Sequence, residues 1–181
     1  MKQHVLKAGA FLFMTLLFLA AGGNVHAGDT VQTAGDVLLV VLPVAAGGMT
    51  LALKDGEGAL QLAESAALTV GVTYGLKYAV DEQRPNGEKY SFPSAHSSVS
   101  FASAEYIRKR YGWEFGLPAY ALASFVAYSR VESHQHYAHD VIAGAAIGIG
   151  SSYLFTRHYQ GWRIKAEAAT GYYGIRLSRT W

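Results

Sequence analysis

The stretch LPAYALASFVAYSRVESHQHYAHDVIAGAAIGIGSSYLF, residues 117–155, sets the fold class. Two apolar runs, 117–128 and 136–155, flank a short polar centre. Both runs are rich in Ala and Leu and longer than ordinary strands, and turn-forming residues lie between them, so they read as helices. Gly144, Gly148 and Gly150 fall inside the second run, where small residues mark close approach of a neighbouring helix. Working outward, three more runs have the same character: 37–53, 60–80 and 97–111, the last read as amphipathic and ending in the basic RKR. Residues 28–36 read as a short polar stretch, and DEQRPNGEKYS, 81–91, as a polar connection. After residue 160 the pattern changes. WRIKAEAA and YYGIRLSRTW flank a TG pair and alternate in polarity, which predicts a small β-hairpin. The expectation is an all-α helical bundle with a short C-terminal β-hairpin.

The N-terminus adds a location. Lys2 and Lys7 precede an apolar run over 8–21, and GGNVHAGD follows with small residues suited to cleavage after Ala27. That tripartite order is the pattern of a secretory signal peptide. The run is short for a membrane span, although an uncleaved anchor would export the chain equally. The expected organisation is residues 1–27 as signal peptide or anchor, 28–160 as a helical domain and 161–181 as a tail.

Composition narrows the chemistry. The formal charge is +2 and charged residues make up 15% of the chain, which does not fit a nucleic-acid binder with a broad basic face. There is no cysteine, so thiolate catalysis and thiolate metal sites are excluded. The helices could span a membrane or dock against one. The runs at 37–53, 60–80 and 136–155 are apolar on most sides and favour embedding.

Three polar clusters stand at helix ends: KYAVDEQRP (77–85), SFPSAHSS (91–98) and SRVESHQHYAHD (129–140). Lys77, Arg84 and Arg130 suit a phosphate group, because guanidinium forks match its oxygens with paired donors and keep their charge. PSAH opens a helix, where free backbone N–H groups and the helix dipole favour an anion, and Ser94 is placed as an N-cap or phosphate donor. His136 and Asp140 are four apart and would share a helical face, so the carboxylate could hold Nδ1–H and leave Nε2 free to attack. His96 would protonate the leaving oxygen and later activate water. A rival reading makes His136, His139 and Asp140 a metal site, but it leaves Lys77, Arg84 and Arg130 without a role.

Taken together, the clusters resemble the type 2 phosphatidic acid phosphatase family, which includes bacterial class A acid phosphatases and vanadium haloperoxidases. Its signature is Lys, six residues, Arg-Pro; then Pro-Ser-Gly-His; then Ser-Arg, five residues, His, three residues, Asp. Here Lys77, Arg84 and Pro85 fit, Pro93 to His96 fit with Ala95 in place of glycine, and Ser129, Arg130, His136 and Asp140 fit fully. The resemblance implies a bundle of the phosphatidic acid phosphatase/haloperoxidase type. It implies that Lys77, Arg84, Ser94, the Ala95 N–H and Arg130 bind phosphate, that His96 is the general acid and base, and that His136 is the nucleophile oriented by Asp140. No metal or other cofactor is required. The expected activity is a metal-independent phosphatase acting on phosphate monoesters or pyrophosphates of envelope lipids. The site would sit in the inner membrane facing the periplasm, or in the periplasm. The alternatives are a soluble periplasmic acid phosphatase for small esters, a vanadate-dependent haloperoxidase, and a non-catalytic membrane module.

Overall fold

The computed structural model describes residues 27–160, 162–169 and 172–179. The expected signal peptide lies outside the described residues apart from its last position. Five helices follow in order: α1 (Ala27–Ala52), α2 (Gly56–Val80), α3 (Ala95–Tyr111), α4 (Trp113–Glu132) and α5 (Ala138–Phe155). Two strands, β1 (Trp162–Ala169) and β2 (Tyr172–Arg179), pair antiparallel, with Trp162 opposite Arg179 and Ala169 opposite Tyr172. Residues 170–171, which join them, lie outside the described residues.

The five apolar runs are all helices, with one clear difference at α1. The polar stretch 28–36 is helical and continuous with the apolar run, and the helix carries on through Pro43. The Asp36 carboxylate and the Gln32 backbone carbonyl there accept from Arg130 on α4. Caps fix the other starts. The Asp55 side chain accepts from the Gly58 N–H at the head of α2, and the Ser94 hydroxyl accepts from the Ser97 N–H at the head of α3.

Helix α3 is the centre of the bundle and packs against the other four helices. It is buried nearly all round, not amphipathic as its sequence suggests. Its charges are hidden with partners: Arg108 forks onto Glu105 at 2.6 and 2.5 Å, and the Tyr120 hydroxyl donates to Glu105 at 2.6 Å. Gly144 and Gly148 of α5 lie against it. A Cβ at Gly148 would stand 2.1 Å from the Ser98 carbonyl oxygen, and one at Gly144 would stand 2.5 Å from that of Ser94. Gly150, by contrast, faces open space.

Helix α2 is inverted relative to a helix of a water-soluble domain. Its buried stripe is Gly58, Gln61, Ser65, Thr69, Thr73 and Lys77, while Leu60, Val70, Val72, Tyr78 and Val80 face outward. Thr73 donates to Ser98 on α3 at 2.9 Å, and Ser65 and Thr69 donate to carbonyls one turn back. Outward-facing apolar residues continue on α1 (Val40, Val44, Leu51), α4 (Leu117) and α5 (Ile142, Tyr153, Leu154). Residues Thr30–Ala52 form a helix long and apolar enough to cross a membrane.

Candidate active site

The C-terminal ends of α2 and α4, the N-terminal ends of α3 and α5, and the α2–α3 and α4–α5 connections meet at one end of the bundle. A cavity of about 260 Å³ opens there, and Lys77, Arg84, Ala95, His96 and His136 all line it. Three segments far apart in the chain therefore converge on one space, as the resemblance implies. Tyr74, Tyr78, Lys89 and Tyr90 form the rest of the wall and were not singled out in the sequence.

His136 does not lie on α5. It precedes the helix, with Tyr137 as the N-cap and Asp140 in the first turn, so the expected shared helical face is replaced by a turn. The contact survives: Nδ1 of His136 lies 3.4 Å from Oδ2 of Asp140. That oxygen also accepts the Tyr137 N–H at 2.9 Å and the Ser91 hydroxyl at 2.5 Å. Ser91 is fully buried and escaped the sequence reading, because nothing in its neighbourhood marks it as anything but a loop serine. His136 lies in the connection between helices. Burial there, and then the charges of Lys77 and Arg84, push its imidazole down to about 4 against the pull of Asp140. The ring is neutral at neutral pH, and a nucleophilic nitrogen must be neutral to attack.

The cations are held differently. The Lys77 ammonium donates to the carbonyls of Tyr90 at 2.6 Å and Ser91 at 3.4 Å. Arg84 uses Nη1 on Glu88 at 2.8 Å and on Gln135 at 3.2 Å, while its buried Nε has no partner. That N–H is a donor available to an anion. Arg130 is buried and is not part of the cavity wall. Its Nε donates to Ser129 at 3.1 Å, its Nη1 to Asp36 at 2.7 Å and its Nη2 to the Gln32 carbonyl at 2.7 Å. Ser94 is also fully buried. Its N–H donates to the Asp140 carbonyl at 3.0 Å, which ties the head of α3 to the head of α5.

Among the described residues, the groups close enough to share a metal ion are Glu82, His139 and Asp140. His136 is not one of them, so the rival metal set expected from the sequence is not the one the fold assembles. His139 Nε2 lies 3.0 Å from Glu82 and 3.2 Å from the second oxygen of Asp140. His134 is exposed on the α4–α5 connection.

The sequence profile of the PAP2 superfamily matches residues 86–164. The Helicobacter pylori lipid A 4'-phosphatase is 34% identical over 166 residues, covering 81% of this chain and 83% of that protein. The chain belongs to the PAP2 superfamily. A second relative, the lipid A 1-phosphatase of Porphyromonas gingivalis, is 38% identical over 88 residues, 46% of this chain and 20% of that longer protein. Two crystal structures share the PAP2 fold. Aquifex aeolicus LpxE superposes with a TM-score of 0.56 at 19% identity, covering 78% of this chain and 92% of that one. The Bacillus subtilis transmembrane PAP2 type phosphatidylglycerolphosphate phosphatase superposes with a TM-score of 0.55 at 21% identity, covering 82% and 92%. Lys77 and Arg84 precede the span of the superfamily profile, yet the fold brings both to the cavity that holds His96 and His136.

Proposed function

We propose that the chain is a metal-independent phosphatase of envelope lipids that works through a phosphohistidine on His136, with the phosphate monoester of lipid A as the first substrate to test. The observation that carries this reading is the convergence of Lys77, Arg84, His96 and His136 on one cavity, with Nδ1 of His136 beside a buried carboxylate. The two relatives named as lipid A phosphatases supply the lipid.

The chemistry follows from the placement. Lys77 and Arg84 neutralise the phosphate, assisted by the Ala95 N–H at the head of α3, while Ser94 and Arg130, which the family signature also assigns to phosphate, lie buried behind the cavity wall. Nε2 of His136 attacks phosphorus as the phosphorus–oxygen bond to the lipid breaks, and His96 gives its proton to the leaving oxygen. His96 then takes a proton from water, whose oxygen attacks the phosphohistidine and releases phosphate. Asp140 holds the Nδ1 proton and stabilises the charge that develops on the ring.

The inverted helix α2 and the apolar residues exposed on α1, α4 and α5 support embedding in a bilayer over the soluble small-ester alternative. The export pattern of residues 1–27 would leave the start of α1 outside, and the cavity lies at that same end of the bundle, where Asp36 of α1 meets His96, so the cavity would face the periplasm. The N-terminal 1–27 is read as the export signal and 28–160 as the catalytic domain.

The test is phosphate release by full-length protein in detergent with chelator present. The substrate panel is lipid A, phosphatidylglycerol phosphate, phosphatidate and undecaprenyl pyrophosphate. Turnover of at least one lipid, abolished by His136→Ala, is the expected result. Inactivity on all four, or full activity in the His136 variant, would overturn the assignment.

A further inference from the structure

Helix α1 contributes a carboxylate that neither the motifs nor the cavity wall include. Oδ1 of Asp36 lies 2.7 Å from Nη1 of Arg130 and 3.1 Å from Nε2 of His96. The same oxygen thus bridges a guanidinium and the imidazole assigned above as the acid. The approach is built into the helix. A Cβ at Gly35 would stand 2.0 Å from the Ser129 hydroxyl and 2.7 Å from Nη2 of Arg130, so only glycine lets α1 come this close to α4. One turn earlier the Gln32 carbonyl takes Nη2 of Arg130 at 2.7 Å. Gln32, Gly35 and Asp36 together form a seat for Arg130, and His96 meets the same carboxylate oxygen.

The electrostatics explain why a carboxylate is needed there. A general acid must hold its proton until the leaving oxygen departs. His96 faces Arg130 from α4, Arg84 from the α2–α3 connection, and Lys77 and His136 across the cavity. Burial of the ring disfavours its protonated form most, and the guanidinium groups of Arg130 and Arg84 add to that. Among the described residues, Asp36, from α1, is the one anion in contact with the ring, and Asp140 is committed to His136.

We propose that Asp36 is a positioning residue for the leaving-group step: it orients the His96 ring through Nε2 and sets a negative charge among the site's cations, so that each of the two histidines works with a carboxylate of its own. In that step the bond from His136 Nε2 to phosphorus forms, the phosphorus–oxygen bond breaks, and the proton on His96 passes to the departing oxygen. The inference rests on the acid role given to His96 above.

The test compares Asp36→Asn, Asp36→Glu, His96→Ala and His136→Ala as full-length proteins in detergent on two probes. Octyl phosphate has a leaving group that needs a proton, and 2,4-dinitrophenyl phosphate has one that does not. Asp36→Asn keeps the shape and removes the charge. It should lose on the order of 10²-fold on octyl phosphate and little on the dinitrophenyl ester, in line with the weight of a general acid. The alkaline limb of its kcat profile should move to lower pH, because the flanking cations then strip the proton sooner, and Asp36→Glu should restore part of both. Equal losses on the two probes with an unmoved limb would mean that Asp36 only braces the fold, and would overturn the proposal, as would wild-type behaviour of Asp36→Asn. Failure of the underlying reading looks different: His136→Ala would stay active, or His96→Ala would show no preference for the better leaving group.

Discussion

Oδ2 of Asp140 lies 3.4 Å from Nδ1 of His136 and also accepts the Tyr137 N–H and the Ser91 hydroxyl. One carboxylate oxygen therefore orients the His136 ring, caps α5 and fixes the loop ahead of α3. Asp140→Asn keeps an oxygen for some of these contacts but can present an N–H to Nδ1, which favours the wrong ring tautomer. We expect kcat to fall on the order of 10²- to 10³-fold. The melting temperature should fall only modestly, because the cap is partly retained. A parallel loss of fold and activity would show that the residue is mainly structural.

The depressed acidity of His136 has two consequences with a defined sign. A ring whose protonation midpoint is about 4 in the folded protein stays neutral across the whole physiological range. In the unfolded chain the same ring titrates near its ordinary value of about 6.5. The unfolded state thus binds the proton first as the pH falls. The stability contribution is complete above about 6.5 and is lost as the pH drops toward 4. Nitrogen-15 titration of the ring in the ligand-free protein should give a midpoint near the lower value. Removing one of the repelling charges with Lys77→Met should raise it. A midpoint at the ordinary histidine position would contradict the burial and charge environment described.

The helix crossing behind the site makes a packing prediction. A Cβ at Gly148 would meet the Ser98 carbonyl oxygen at 2.1 Å and the Ala102 N at 2.7 Å, both of them backbone atoms that cannot swing aside. Gly148→Ala should cost about 1–3 kcal/mol or more by forcing α3 and α5 apart. Gly150→Ala, with nothing within 4 Å, should be neutral or slightly stabilising through helix propensity. Thermal unfolding of the two variants in the same detergent separates the cases, and similar melting temperatures would refute the close crossing.

Much of the site was legible because catalysis fixes residue types at fixed intervals. Lys77, Arg84, His96 and His136 match the family signature in order and spacing, and one cavity is lined by all four. Asp36 and Ser91 were not legible, since a lone Asp in a polar stretch and a serine in a loop carry no periodic signal. The helices were legible as helices, but their inside and outside were not. In α2 the buried stripe is Gln61, Ser65, Thr69, Thr73 and Lys77, which a reading based on water as the only solvent assigns to the surface. Helix α3 reads as amphipathic from its charges, whereas its Glu105 and Arg110 are paired in the interior of the bundle.

The far end of the bundle offers a control that separates stability from catalysis. Arg110 forks onto Asp55 at 2.7 and 2.5 Å, with both side chains almost wholly buried, and Asp55 also takes the Gly58 N–H and the Tyr111 hydroxyl. Asp55→Ala would leave a buried guanidinium without its anion and α2 without its cap. We expect a loss of about 3–5 kcal/mol. Adding Arg110→Met removes the orphaned charge, so the double variant should recover a large part of that loss. The pair lies at the end of α3 opposite His96, so turnover per folded molecule should match the wild type in the double variant. A double variant no more stable than Asp55→Ala would place the cost in the lost cap and not in the unpaired charge. A fall in turnover at full folding would mean that the two ends of the bundle are mechanically coupled.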